Sequence, residues 1–106
     1  MSAEPRIVKP KGRLDAATGP ALEAELAAAT GGGARLLLDF SELVYISSAG
    51  LRVVLLAAKK VKASNGRLAL CSLNPQIAEV FKISGFDVII DIHPSPDSAL
   101  ARLKAP

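Results

Sequence analysis

The chain has 106 residues, half of them apolar, with a mean hydropathy of +0.34. It is the size of one domain, has the means to bury a core, and is not a disordered segment. Thirteen Lys and Arg against ten Asp and Glu leave a net charge of +3, spread along the chain rather than gathered in a tail or stripe, which argues against an acidic solvating protein. One cysteine and one histidine exclude an internal disulfide and a zinc cluster of the usual Cys/His kind, so neither metal nor cofactor is expected. The first ten residues hold no apolar signal core. The longest apolar run, residues 53–58, is far short of the about 20 residues of a membrane span. A soluble protein of the reducing cytoplasm, with no membrane insertion, is the expectation.

In chain order, residues 7–14 are strand-like but interrupted by Pro10, which cannot donate to a ladder; the segment is expected at a sheet edge or with a bulge. Pro20 at a first turn, Leu22, Leu26 and Ala29 at helical spacing, and the run Gly31-Gly32-Gly33 predict a helix over residues 20–30. Residues 35–40, Arg-Leu-Leu-Leu-Asp-Phe, form an apolar run too short for a helix, the pattern of a strand buried on both faces. A helix over residues 49–64 ends at Asn65-Gly66, and Arg67 to Cys71 reads as a second buried strand. A third helix, over 75–84, has Asn74 as N-cap, Pro75 at its first position and Gly85 just beyond its end. Residues 88–92 read as a further strand and 97–103 as a short last helix. The order β-α-β-α-β-α-β-α implies right-handed crossovers and a single small α/β domain.

The familiar enzyme templates are missing. There is no phosphate-cradling Gly-x-x-x-x-Gly-Lys-Ser/Thr, and the triple glycine follows a helix, the reverse of the order a dinucleotide fingerprint requires. Ser47-Ser48 lacks the Gly-x-Ser-x-Gly elbow, and its sole possible base, His93, reads as a surface loop residue between prolines. Cys71 reads as a small core residue.

The informative segment is residues 36–51, in which a buried strand leaves through a polar turn and leads to a serine pair opening a helix. The carboxyl ends of strands followed by helix N-termini are where α/β sheets place working sites. Either serine can cap the helix. Gly50 in the first turn is costlier than alanine by about 1 kcal/mol, which suggests a bare patch for the close approach of another backbone.

Residues 36–51, with Gly12-Arg13-Leu14-Asp15 upstream and Phe81-Lys82-Ile83-Ser84-Gly85-Phe86 downstream, resemble the STAS domain, and more narrowly the bacterial anti-sigma factor antagonists. The resemblance spans about residues 7–103 of a single 1–106 domain. It implies an α/β fold with a mixed, mostly parallel sheet of four to five strands and about four helices. It also implies a partner-switching regulator rather than an enzyme. The unphosphorylated protein binds an anti-sigma factor that is itself a serine kinase of the histidine-kinase-like ATPase fold, which frees a sigma factor. Phosphorylation of a serine at the helix start ends the interaction. On the family motif Asp-Ser-Ser/Thr-Gly, Ser47 takes the acidic place, Ser48 the phosphoacceptor place, Ala49 that of the second hydroxyl, and Gly50 the glycine; Asp15 falls on a kinase-contacting position. Ser47 thus becomes a rival acceptor. The family's additional first strand would have to fit within residues 1–6.

At 100° per residue, Leu51, Leu55, Ala58 and Val61 of the helix face the sheet, while Arg52, Leu56, Lys59 and Ala63 share another face. Arg52 and Lys59 join the expected partner-binding set. Other readings are a STAS module docking in a stress-signalling or lipid-transport complex, and a receiver-like domain using Asp39 as phosphoacceptor, which would need an acidic companion that Asp15 alone does not supply. Few aromatics and no RNP-like or helix-turn-helix pattern weigh against direct nucleic-acid binding. The edge strand is compatible with a monomer or a weak dimer.

Overall fold

The computed structural model describes residues 4–29 and 32–105. Among them the elements run β1 (Arg6–Val8), β2 (Gly12–Leu14), α1 (Gly19–Ala29), β3 (Arg35–Asp39), β4 (Leu43–Ile46), α2 (Ser48–Ala63), β5 (Arg67–Cys71), α3 (Pro75–Ser84), α4 (Phe86–Ile89), β6 (Asp91–His93) and α5 (Pro96–Lys104). The main sheet has the order β1-β3-β5-β6, with every neighbouring pair parallel. A separate parallel pair, β2 with β4, stands beside it. The α/β class and the mostly parallel four-stranded sheet are as expected.

Alternation along β3 divides the core in two. Leu36 and Leu38 join Leu70 and the apolar sides of α1, α2 and α3. Leu37, with Ala69 and Cys71 of β5, is covered by Ala99 and Leu103 of α5. A strand whose successive side chains are all buried needs helices on both faces, and the unbroken leucine run is the sequence form of that arrangement. Cys71, fully buried here, is the core residue its pattern suggested.

Four expectations are corrected. The segment over 7–14 is two strands, because Pro10 divides it: β1 becomes the edge of the main sheet, and β2 leaves to pair with β4. The strand β4 itself, hidden in the polar-looking stretch before the serines, was not foreseen. Residues 88–92 are not one strand: Gly85 adopts φ +79°, ending α3 in the left-handed region, and the chain makes one further helical turn, so that the strand is confined to Asp91–His93. On α2 the buried residues are Val53, Val54, Ala57 and Val61, whereas Leu51, Leu55 and Ala58 are half-buried. The face is wider because α1 lies alongside, where a β-carbon on Gly19 would stand 3.4 Å from Val53 Cγ2, while Leu51 and Ala58 still pack against the core. The exposed set Arg52, Leu56, Lys59 and Ala63 is as expected.

The helix termini follow their punctuation. Asn74 Oδ1 accepts from Ile77 N–H at 2.8 Å, with Pro75 next in the chain. Ser95 caps α5, which starts at Pro96, one residue before the expected Asp97. Helix α1 runs over 19–29; the expected end at Thr30 and the first glycine of the run, Gly31, lie outside the described residues, as do Met1 to Ala3 where an additional strand would begin.

Candidate functional site

The parallel β2–β4 pair brings two distant segments to one end of the molecule. Its register sets Arg13 opposite Tyr45 and Leu14 opposite Ile46. The chain then leaves β2 at Asp15 and β4 at Ser47, so Asp15 and the serine pair share a neighbourhood. The joint is made of main chain: Ser47 N–H donates to the Leu14 carbonyl at 2.9 Å.

Helix α2 begins at Ser48. Ser47 is its N-cap, with φ −94° and ψ 176°, and its Oγ accepts from Gly50 N–H at 3.3 Å. The two serines therefore differ: the Ser47 hydroxyl is half-buried and engaged with the helix, while Ser48 is exposed at the first helical position. Ala49 is half-buried beside it. Gly50 is buried, and a Cβ there would lie 2.5 Å from the Leu14 carbonyl oxygen and 2.9 Å from Ile46 Cγ1. The close backbone approach inferred from this glycine is real, but the backbone is the chain's own β2, so the patch is not bare.

Asp15 is held as tightly as the serines are placed. Its Oδ1 accepts from Ala17 N–H at 3.0 Å and Thr18 N–H at 3.1 Å. The Thr18 hydroxyl accepts from Asp15 N–H at 3.0 Å and donates to the Arg13 carbonyl at 2.8 Å. The Thr18 backbone N–H, assisted by Ala17, the Thr18 hydroxyl and the Arg13 charge, holds the Asp15 carboxyl below its ordinary pKa, outweighing the loss of hydration. Arg13 Nε lies 3.6 Å from Asp15 Oδ2, and its guanidinium sits 4.2 Å from the centre of the Tyr45 ring, a cation–π arrangement. Arg13 and Tyr45 were not singled out in the sequence. Recognising β4 would have found them, since cross-strand register places them together.

Arg52 is exposed one turn beyond Ser48, on the side of the helix that spacing gives to i and i+4. Lys59 is not part of this cluster. It stands eleven residues after Ser48, roughly 16 Å along the helix axis. The first turn of α2 contains no acidic residue, so nothing in it offsets the positive end of the helix dipole.

The other sequence candidates lie elsewhere. Asp39, at the end of β3, is 6% exposed; its Oδ1 accepts from Ser41 N–H at 2.9 Å and its Oδ2 faces Lys9 Nζ at 3.8 Å. A receiver-like acceptor would have to be open to a phosphodonor beside an acidic companion, whereas Asp15 has its own turn to hold. Among the described residues no group of three His, Cys, Asp or Glu is placed to share a metal ion. His93 is no surface loop residue: it ends β6 with its side chain 17% exposed, Nε2 3.3 Å from Asp91 Oδ2 and Nδ1 2.9 Å from Ser98 Oγ. Arg102 also reaches Asp91, at 3.4 Å, so this group fastens α5 to the sheet edge. Burial raises the Cys71 thiol above its ordinary pKa, which keeps it protonated and unreactive. No helix of the described residues is long and apolar enough to cross a membrane.

Comparison with known proteins identifies the family. The model of the STAS domain family matches residues 2–99, and the chain belongs to that family. Within it the chain is related to the anti-sigma factor antagonists. It is 48% identical over 95 residues to BtrV of Bordetella bronchiseptica, a protein named for that role, covering 89% of this chain and 82% of the relative. It is 33% identical over 81 residues to the anti-sigma-B factor antagonist of Bacillus subtilis, covering 76% and 74%. A crystal structure from Thermotoga maritima, named for the same role, superposes with a TM-score of 0.87 over 99% of this chain and 92% of that one, at 20% identity, a likeness of fold. The two sequence relatives carry the names of regulators, not of enzymes.

Proposed function

We propose that this protein is an anti-sigma factor antagonist acting by partner switching in the cytoplasm. The STAS domain comprises residues 1–106, with its core over about 7–103. The unmodified chain binds an anti-sigma factor that is a serine kinase of the histidine-kinase-like ATPase fold, through Asp15, the segment Ser47-Ser48-Ala49-Gly50 and Arg52. Phosphorylation of Ser48 ends the interaction.

The observation that carries this reading is the division of labour between the serines. With Ser47 engaged as N-cap, Ser48 is the exposed hydroxyl at a helix start whose dipole has no acidic residue in its first turn. A phosphate there adds roughly −1.5 to −2 charge, which the helix end tolerates locally. The fold therefore stays intact while the contact surface changes sign. Since each 1.4 kcal/mol is about tenfold in affinity, repulsion and bulk of a few kcal/mol release the partner. Names shared with relatives 48% and 33% identical support the same role.

The test is an affinity capture from the parent bacterium with tagged wild type and Ser48→Glu, read by mass spectrometry. Recovery of a histidine-kinase-like ATPase with the wild type, and its loss with Ser48→Glu, is the expected result. Equal recovery with both, or recovery of transport or stress-complex proteins instead, overturns it.

A further inference from the structure

At the opposite end of α2 from the serines, a groove of about 870 Å³ opens between the last turns of that helix, the α3–α4 corner and the edge strand β6. Its charge is one-sided. Lys59 and Lys62 come from α2, Lys82 from α3, Arg67 from β5 and Arg102 from α5, against the carboxylates of Asp87 and Asp91. Asp91 is already shared by His93 and Arg102. Among the described residues Lys59, Lys62 and Lys82 make no ion pair.

Beside these cations the rim is apolar. Val88 is 88% exposed and Ile89 63%, on a helical turn that buries none of its residues, and both line the groove. Large aliphatic side chains left in water next to unpaired lysines are the two halves of an interface for an amphipathic anion.

We propose that this groove is a second docking surface, which takes an acidic amphipathic helix of a partner protein. Its cations face the partner's carboxylates, and Val88 and Ile89 face its apolar stripe. A second copy of this chain does not fit, because a two-fold contact would set one cationic groove against another. A small anion leaves the apolar rim uncovered. A bilayer presents a broad surface, whereas these cations line a recess. The groove includes Lys59, which stands roughly 16 Å along the helix axis from Ser48. It can thus be occupied whether or not the switch is engaged, and the proposal does not depend on phosphorylation.

The experiment uses the full chain and a fluorescein-labelled 18-residue helical peptide of Leu, Glu and Ala, with leucines on one face, beside a scrambled peptide of the same composition. Anisotropy is expected to show binding that weakens at least about tenfold in Lys59→Glu/Lys82→Glu and several-fold in Val88→Ser/Ile89→Ser, and that is unchanged in Ser48→Glu. Amide chemical-shift changes are expected to map to the end of α2 and to α4. All substituted residues are exposed, and circular dichroism checks that the variants fold. No binding, equal binding of the scrambled peptide, shift changes centred on residues 47–52, or binding of phosphatidylglycerol vesicles in preference to the peptide would each overturn the proposal.

Discussion

The Leu14 carbonyl oxygen lies 2.5 Å from where a β-carbon on Gly50 would stand, and it also accepts the N–H of Ser47 at 2.9 Å. One main-chain atom thus holds the start of α2 against the end of β2. Gly50→Ala is expected to destabilise the protein by about 1–3 kcal/mol through overpacking, although helix propensity alone favours alanine by about 1 kcal/mol. Urea denaturation decides between the two, since a stabilised variant would mean that β2 can give way.

The two serines are expected to separate in stability measurements. Ser47→Ala removes the cap and costs about 1 kcal/mol. Ser48→Ala and Ser48→Glu change stability by less than about 0.5 kcal/mol, as surface substitutions do. If Ser48→Glu lowered the melting temperature as much as Ser47→Ala, modification at this position would act through the fold and not the surface.

Arg13 and Tyr45 hold each other across the β2–β4 pair, exposed on the side next to Asp15. Tyr45→Ala is expected to cost about 0.5–1 kcal/mol in stability, and to lower the affinity for an anti-sigma factor by more than that, because it also frees the Arg13 side chain. Calorimetric titration against the captured partner, with thermal melts alongside, separates the two effects. Unchanged affinity would place this pair outside the interface.

Asp15 has a pKa lowered in the folded protein, chiefly by the Thr18 N–H. Its contribution to stability is therefore fully present above the unfolded-state value and is lost as pH falls through the lower folded value. Wild type is expected to exceed Asp15→Asn in stability at neutral pH, and the gap is expected to close on acidification below the ordinary aspartate range. A gap independent of pH would show that the charge of the carboxylate plays no part.

Cys71 is buried, with its thiol pKa raised by desolvation. It is expected to resist maleimide labelling at neutral pH in the folded protein and to react at once in denaturant. Prompt labelling without denaturant would mean that α5 lifts readily from the sheet.

Much of this was legible in the residues. The leucine run over 36–38 declared a strand covered on both faces, and α3 was bounded correctly because Asn74, Pro75 and Gly85 act through local geometry. The serine pair was placed at a helix start for the same reason. What escaped depends on partners far along the chain. In β4, buried residues at both ends enclose two exposed ones, a pattern without alternation, and the strand exists because β2 pairs with it. The 88–92 run has the composition of a strand, yet Gly85 starts a further turn that leaves Val88 and Ile89 in water. Which serine caps the helix was likewise undecidable from spacing, since the answer rests on where Ser47 N–H meets Leu14. Lys59 and Arg52 share the exposed face that their helical angle predicts, roughly 10 Å apart along the axis.

Asn74 uses both ends of its amide: Oδ1 caps α3, while Nδ2 donates to the Leu43 carbonyl at 3.2 Å. Aspartate, ordinarily an equal cap, would serve the helix and turn a carboxylate oxygen toward that carbonyl, two acceptors facing one another. Serine would cap, but it has no second polar atom to reach that carbonyl. A position that looks interchangeable for helix initiation is thereby narrowed to one residue, because the same side chain also moors the first residue of the strand that delivers Ser48 to the surface.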